Sequence, residues 1–267
     1  MQPLQSETEP PTSIDVVIPV FNEERRLSSC IKTLSTCLQQ NFLDGSWRIL
    51  VAENGSTDRT GMLADSLTRE YPWLKIFHID RPGRGGALAY AYQRSQADIV
   101  AYMDVDLATD LEGLPLLVRK VVEGCDIAVG SRLLPASQVT RSLRRELISR
   151  AYNFITRRIF RVPFTDAQCG FKALRRAAVV PLLPRIKNTG WFFDTELLLQ
   201  AYRSGFRIQE VPVRWTEDPD SRVKLASTIL QMAWGLVRLK FRRGWKSPSR
   251  PPSAIWKPQT ASESFTP

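Results

Sequence analysis

Apolar, β-branched runs alternate with segments of helical period through the first half of this chain, and no other feature narrows the fold as much. Ile14 to Val20, Arg48 to Ala52, Leu74 to Ile79, Ile99 to Met103 and Asp126 to Val129 read as strands. Between them, Glu23 to about Leu38, Thr57 to Arg69, Gly86 to Arg94 and Leu111 to Val122 carry apolar residues at helical spacing. Such strand–helix–strand units predict an α/β domain, Rossmann-like, with a mostly parallel sheet. Beyond residue 131 the rhythm loosens. A helix is expected over 141–160, with apolar Leu147, Ile148, Ala151, Ile155 and Ile159, then a strand-like piece at Gly170 to Leu174. A helix opens near Asp194, a strand covers Arg207 to Trp215, and a last helix runs from about Val223 to Arg243.

Ligands of open α/β sheets bind outside the carboxyl ends of the strands. Three polar clusters fall there: Pro19-Val20-Phe21-Asn22-Glu23, Glu53-Asn54-Gly55-Ser56 and Asp104-Val105-Asp106. Asp104 and Asp106, at i and i+2 of an extended chain, point the same way. Two like charges so placed raise each other's energy unless a cation lies between them. Mg²⁺ and Mn²⁺ favour one or two carboxylates completed by phosphate oxygens, so the pair suggests metal-assisted handling of a diphosphate. Asn22 and Glu23, where the first strand gives way to a helix, also fit an N-cap with an acidic first turn. The glycines of Pro82-Gly83-Arg84-Gly85-Gly86 would let backbone N–H groups approach phosphates at a helix start.

Charge points to the partner class. The 37 lysines and arginines against 27 aspartates and glutamates leave +10, which favours nucleic acid, a membrane surface or phosphorylated substrates. No aromatic–basic repeat accompanies the charge, which argues against nucleic acid. Cys30, Cys37, Cys125 and Cys169 lack metal-ligand or disulfide-framework spacing, and no signal peptide is evident, so a cytoplasmic setting is expected. His78 is the only histidine, which disfavours histidine-based zinc sites and triads; it reads as a structural strand residue. No run of about 20 apolar residues spans a bilayer. Pro- and Ser-rich residues 1–13 and 247–267 read as a disordered lead and tail around a domain over 14–246.

In order along the chain, the three clusters are followed by Gly130-Ser131-Arg132, Asp166-Ala167-Gln168-Cys169-Gly170-Phe171-Lys172, Trp191-Phe192-Phe193-Asp194-Thr195-Glu196 and Glu217-Asp218-Pro219-Asp220-Ser221-Arg222-Val223-Lys224. Together they resemble the inverting glycosyltransferases of family 2, and within them the polyprenyl-phosphate branch, above all the dolichyl-phosphate β-glucosyltransferases. The resemblance covers roughly 14–245 and implies a GT-A fold, with 14–130 as the nucleotide-sugar half and 131–246 as the acceptor half. It implies donor contacts from Pro19, Phe21, Asn22, Glu23, Glu53, Asn54, Arg84, Asp104 and Gln168. Lys172 is a further candidate for the donor pocket, and Gly170 and Phe171 shape a loop. Asp106, with Asp104, would hold Mg²⁺ or Mn²⁺. The family's usual pair of aspartates is replaced by Glu53-Asn54, which leaves one formal charge and leaves the base open between UDP- and GDP-sugars.

On the acceptor side the resemblance implies phosphate contacts from Arg132, Arg145 and Ser149, with Arg222 and Lys224 as a later basic pair. A lipid monophosphate needs no general base, because its second pKa of about 6 leaves it ionised at neutral pH. Asp194 could hold sugar hydroxyls, or act as base if the acceptor is an alcohol. The expected reaction is metal-dependent transfer of glucose from UDP-glucose to polyprenyl phosphate; the alternatives are GDP-mannose as donor or a soluble hydroxyl acceptor. The last helix joins an apolar face (Ile229, Met232, Leu236, Leu239) to Lys240, Arg242, Arg243, Trp245 and Lys246. It either lies in the interface at the cytoplasmic face of a membrane or closes the core.

Overall fold

The computed structural model describes residues 12–42, 46–218 and 225–242. The strand–helix alternation holds through β1 (Ile14–Val20), α1 (Leu27–Asn41), β2 (Trp47–Glu53), α2 (Thr60–Glu70), β3 (Leu74–His78), α3 (Arg84–Arg94) and β4 (Ile99–Met103). A 3₁₀ turn at Leu111–Gly113 leads into α4 (Leu114–Val122) and β5 (Ile127–Ser131). There follow β6 (Gln138–Thr140), α5 (Leu143–Phe160), β7 (Phe171–Arg175) and a short α6 (Arg176–Val179) running into a 3₁₀ stretch. The described chain closes with α7 (Phe193–Arg203), β8 (Ile208–Pro212), β9 (Arg214–Thr216) and α8 (Leu225–Phe241). β1, β4 and β5 are buried along their whole length, which is why they read as continuous apolar runs.

One seven-stranded sheet runs in the order β3-β2-β1-β4-β7-β5-β8. The order reverses between β1 and β4, the point where an open α/β sheet leaves a crevice at its strand ends. β7 enters antiparallel between β4 and β5, and its register sets Lys172 opposite Tyr102 and Phe171 opposite Met103. Paired residues share a face of the sheet, and so do i and i+2. Tyr102, Asp104 and Lys172 therefore stand together on one side.

Three expectations change. The run at Arg207 to Trp215 is two strands. The chain leaves the main sheet after Pro212 and pairs β9 with β6 in a separate parallel ribbon. Asn22 is not an N-cap: α1 begins at Leu27, and Asn22 sits in the left-handed region (φ 58°). α5 is inverted. Its inward side chains are Ser149, Asn153, Thr156 and Phe160, while Leu143 (87% exposed), Leu147 (71%) and Phe154 (63%) face outward. Asn153 explains part of this, since its amide oxygen accepts from the Ala167 N–H at 2.9 Å and braces the loop before β7.

α8 buries Met232, Leu236 and Leu239, and no helix among the described residues is long and apolar enough to cross a membrane. It seats on the chain at Gly235, where a Cβ would stand 2.4 Å from Cγ of Phe192. Residues 1–11 of the lead, the tail, Arg222, Lys224 and residues 243–246 lie outside the described residues, while Ser13, read as part of the lead, is tied to Asp98 by its N–H at 2.9 Å. Gly235→Val is expected to push α8 off Phe192 and cost about 1–3 kcal/mol, the range for overpacking, read as a lowered midpoint in denaturant.

Candidate active site

The ends of β1 and β2 are locked together by side chains that read as donor contacts. Oδ1 of Asn22 accepts from the Thr57 N–H at 2.7 Å, and the Glu23 N–H donates to Oγ1 of Thr60 at 2.8 Å. Buried Asn54 donates to the Val20 carbonyl at 2.7 Å and accepts from the Gly83 N–H at 2.9 Å. An ionised aspartate could make only the second of these bonds. Glu53 is also buried; Oε1 accepts from the Ser56 N–H, and Oε2 lies 3.3 Å from Nδ1 of His78. His78, expected to be structural, steadies Glu53 from behind. Asp65 chiefly, against partial burial and with help from Glu53, raises its pKa. Pro19 is buried within β1, and Phe21 stands exposed at its end.

The glycine loop before α3 packs on protein. Thr189 O accepts from the Gly86 N–H at 3.0 Å. What the loop delivers to the site is Arg84, whose guanidinium lies between the rings of Tyr102 and Trp191, 5.3 and 5.2 Å from their centroids. It donates to Oδ1 of Asp104 from Nε (3.1 Å) and Nη2 (2.8 Å), and to Oδ2 of Asp194 from Nη1 (2.7 Å). Asp194, buried at the start of α7, also accepts from Lys172 Nζ at 2.8 Å and from the Tyr102 hydroxyl. Burial pushes the Asp194 carboxyl up, but Lys172 and Arg84 outweigh it and hold it below the usual carboxylate range. Two cations thus neutralise two carboxylates: Lys172 and Asp194 are buried and Arg84 mostly so, the condition in which charge must be paired, while the Asp104 side chain stays 42% exposed.

Asp104 is clamped from a second side. A Cβ on Gly170 would stand 2.0 Å from its Oδ2. Asp106 is left as the open member of the pair. Lost hydration first, and the Asp104 charge second, lift its carboxyl above the ordinary value. Its backbone contact is the Ala108 N–H at 3.1 Å. Among the described residues no three acidic, cysteine or histidine side chains converge as a complete metal site. One unneutralised carboxylate beside a second fits Mg²⁺ or Mn²⁺ shared with phosphate oxygens, since these hard ions keep few protein ligands.

The expected acceptor arginines are present but already paired. Arg132 forks onto buried Asp166, Nε to Oδ2 at 2.8 Å and Nη2 to Oδ1 at 3.0 Å, and lies over Trp215. Burial opposes ionisation of Asp166, yet the charge of Arg132 wins and lowers its pKa to about 2. Nε of Arg145 meets Oε1 of Glu217 at 2.9 Å. Ser149 has a buried hydroxyl with no partner among the described residues. Arg132 lines a cavity of about 410 Å³ with Leu133, Pro135, Glu146 and Arg150, Glu146 bridging Arg141 and Arg150. Gln168 is half-buried, and its N–H donates to Asp166 at 3.0 Å.

Comparison with known proteins decides the family. Residues 15–182 match the family model described as glycosyl transferase family 2. The chain belongs to glycosyl transferase family 2. It is a sugar-transferring enzyme. The glycosyltransferase AglD of Haloferax volcanii is 38% identical over 84% of this chain, although the chain spans only 36% of that protein. The dolichyl-phosphate beta-glucosyltransferase of Saccharomyces cerevisiae is 27% identical over 85% of this chain and 74% of its own length. Glucosyl-3-phosphoglycerate synthase from Mycobacterium tuberculosis, solved with Mn²⁺, UDP and glucosyl-3-phosphoglycerate, has a TM-score of 0.65 at 22% identity. That match covers 85% of this chain and 79% of the other. It shares the fold.

Within this family 2 site, the sequence reading did not single out Tyr102, Trp191, Asp166 or Glu217, and it gave Lys172 no place beside Asp194. The only sequence signal of Trp191, Asp166 and Glu217 is membership of the later motifs, and that of Tyr102 is its place in the Ile99 to Met103 strand. Two outcomes are expected. Gly170→Ala displaces Asp104 and lowers turnover at least about 100-fold, the scale of an ångström's misplacement, with a near-normal thermal midpoint. Lys172→Met leaves Asp194 under-compensated and costs about 3 kcal/mol at neutral pH. Because Asp194's folded pKa is depressed, its stabilisation is present above about pH 4 and lost as pH falls through the folded value. In Lys172→Met the folded pKa of Asp194 rises, so the destabilisation is largest at neutral pH and should shrink as pH falls through the carboxylate range, read as converging denaturant midpoints of variant and wild type.

Proposed function

We propose that this chain transfers glucose from UDP-glucose to the phosphate of a polyprenyl, dolichyl-like lipid, inverting the anomeric carbon, as a peripheral enzyme at the cytoplasmic face of a membrane. The observation that carries this reading is the state of Asp194. Its oxygens are taken by Lys172, Arg84 and the Tyr102 hydroxyl, and its proton affinity is low. A carboxylate so held is a poor general base, and the chain's single histidine is on β3 beside Glu53. An acceptor that arrives ionised removes the need for one. A phosphate monoester does so, and the name of the yeast relative supports a lipid one.

The residues then divide as follows. Phe21, Asn22, Glu23 and Glu53 shape the nucleoside end, Pro19 and Asn54 setting the strand-end backbone. Arg84, held by Asp194, orients Asp104 toward the hydroxyls of the donor, with Gln168 nearby. Asp106 would hold Mg²⁺ or Mn²⁺, which supplies Lewis-acid neutralisation of the leaving diphosphate. Arg132, Arg145 and Ser149 position the acceptor phosphate, the arginine forks matching its oxygens. A phosphate oxygen attacks the anomeric carbon, the bond to the UDP oxygen breaks, and an α-linked donor yields a β-linked product. The outward apolar residues of α5 and α8 support attachment to the surface that carries the lipid.

UDP release is the test. With Mn²⁺ and UDP-glucose it should depend on added polyprenyl phosphate and fail with GDP-mannose, and Asp106→Ala should abolish it without changing the thermal midpoint. Release without lipid would move the reading to another acceptor. Arg145→Ala is expected to raise the KM for lipid about 10-fold, the loss of one charged hydrogen bond, and to leave the KM for UDP-glucose within about twofold.

A further inference from the structure

A groove of about 710 Å³ separates α8 from the segment that runs into α7. Its apolar lining is Phe192, Trp234, Val237, Leu239 and Phe241, and Lys187, Arg238 and Arg242 stand in the same wall. Leu230, Trp234, Val237 and Phe241 recur at helical spacing along α8, with Trp234 66% and Phe241 83% exposed, so the groove opens onto an apolar stripe left facing water.

The charges single out an occupant. Glu196 is the one carboxylate in the lining, and it is spent: Oε2 accepts from the Lys187 and Asn188 N–H groups at 3.2 and 2.9 Å, and Oε1 lies 3.4 Å from Arg242. Arg242 also donates to the Arg185 carbonyl at 2.9 Å, and Nζ of Lys187 to the Pro184 carbonyl at 2.9 Å. Arg238 has no side-chain partner among the described residues. Three cations against one satisfied carboxylate, above an aromatic floor and beside an exposed apolar stripe, complement an amphiphile with an anionic head. The sequence from α8 to its end adds to this, with seven lysines and arginines against a single glutamate between residues 225 and 267.

We propose that this groove binds the phosphodiester headgroup of an anionic phospholipid, separately from the acceptor cavity at Arg132. The lipid's acyl chains lie along Trp234 and Phe241, and Lys187 and Arg238 face its phosphate. The proposal rests on the reading of this chain as a peripheral membrane enzyme, and adds to it a headgroup-selective site.

The test uses the full chain without nucleotide sugar or polyprenyl phosphate. Sedimentation with vesicles of phosphatidylcholine, alone or with about one-third phosphatidylglycerol, should show at least about 10-fold stronger partitioning onto the anionic ones. Lys187→Glu with Arg238→Glu should lose that increment, keep the wild-type level on phosphatidylcholine, and keep the wild-type thermal midpoint. Phosphatidylglycerol with brominated acyl chains should quench tryptophan fluorescence in wild type, and much less in Trp234→Phe. A double variant that keeps the anionic preference, through the C-terminal tail or the α5 arginines, would overturn the site. So would unchanged quenching in Trp234→Phe. Dihexanoyl-phosphatidylglycerol below its micelle concentration, titrated with inorganic phosphate as the control anion, separates the two readings. Saturable binding lost in the double variant supports the groove even if no vesicle is bound, in which case membrane attachment alone fails; binding matched by phosphate overturns it.

Discussion

The site depends on one electrostatic knot, largely buried except at Asp104. Arg84 and Lys172 neutralise Asp104 and Asp194 between two aromatic rings, and four separate chain segments supply the members. Removing Lys172 or Asp194 would leave a buried charge under-compensated, whereas Asp104 remains partly exposed to solvent. The geometric effect of the knot is to divide two sequence neighbours. Asp104 is clamped between Arg84 and the bare Cα of Gly170, whereas Asp106 stays open and under-neutralised. A symmetrical acidic pair in the sequence becomes an asymmetric one, with one carboxylate fixed and the other open.

The same pairing recurs around Arg132 and Arg145. They are held by Asp166 and Glu217. Such pairing keeps long cationic side chains in place, so that less rotamer entropy would remain to be lost on binding an anion. On the proposed reading, an acceptor phosphate would either share the forks or displace the carboxylates.

α5 and α8 leave several large apolar residues facing outward, which water alone would not favour. A helix that turns Ser149, Asn153 and Thr156 inward and Leu143, Leu147 and Phe154 outward has its amphipathicity reversed for an aqueous surface. The inward polar groups are not idle, since Asn153 supports the loop that carries Asp166. The outward apolar residues have nothing of that kind to do within the chain.

Much of this was legible beforehand. The bounds of β1 and β4 and the convergence of three polar clusters on one rim follow from local periodicity, because a strand buried on both faces must be apolar throughout. The family was legible because seven motifs kept their order. What local pattern cannot carry is direction and neighbour. Nothing in Phe171–Arg175 says that it runs antiparallel between β4 and β5, yet that insertion alone sets Lys172 against Tyr102 and Gly170 against Asp104. Nor does helical spacing tell which face of α5 turns inward, since Ser149, Asn153 and Thr156 face in to serve contacts distant in sequence. The sequence by itself determined the α/β class, the rim and the chemistry of its residues, because these rest on residue type and short-range period. Tertiary structure alone decided which carboxylate is fixed and which is open, because that depends on charges brought together from segments up to 110 positions apart.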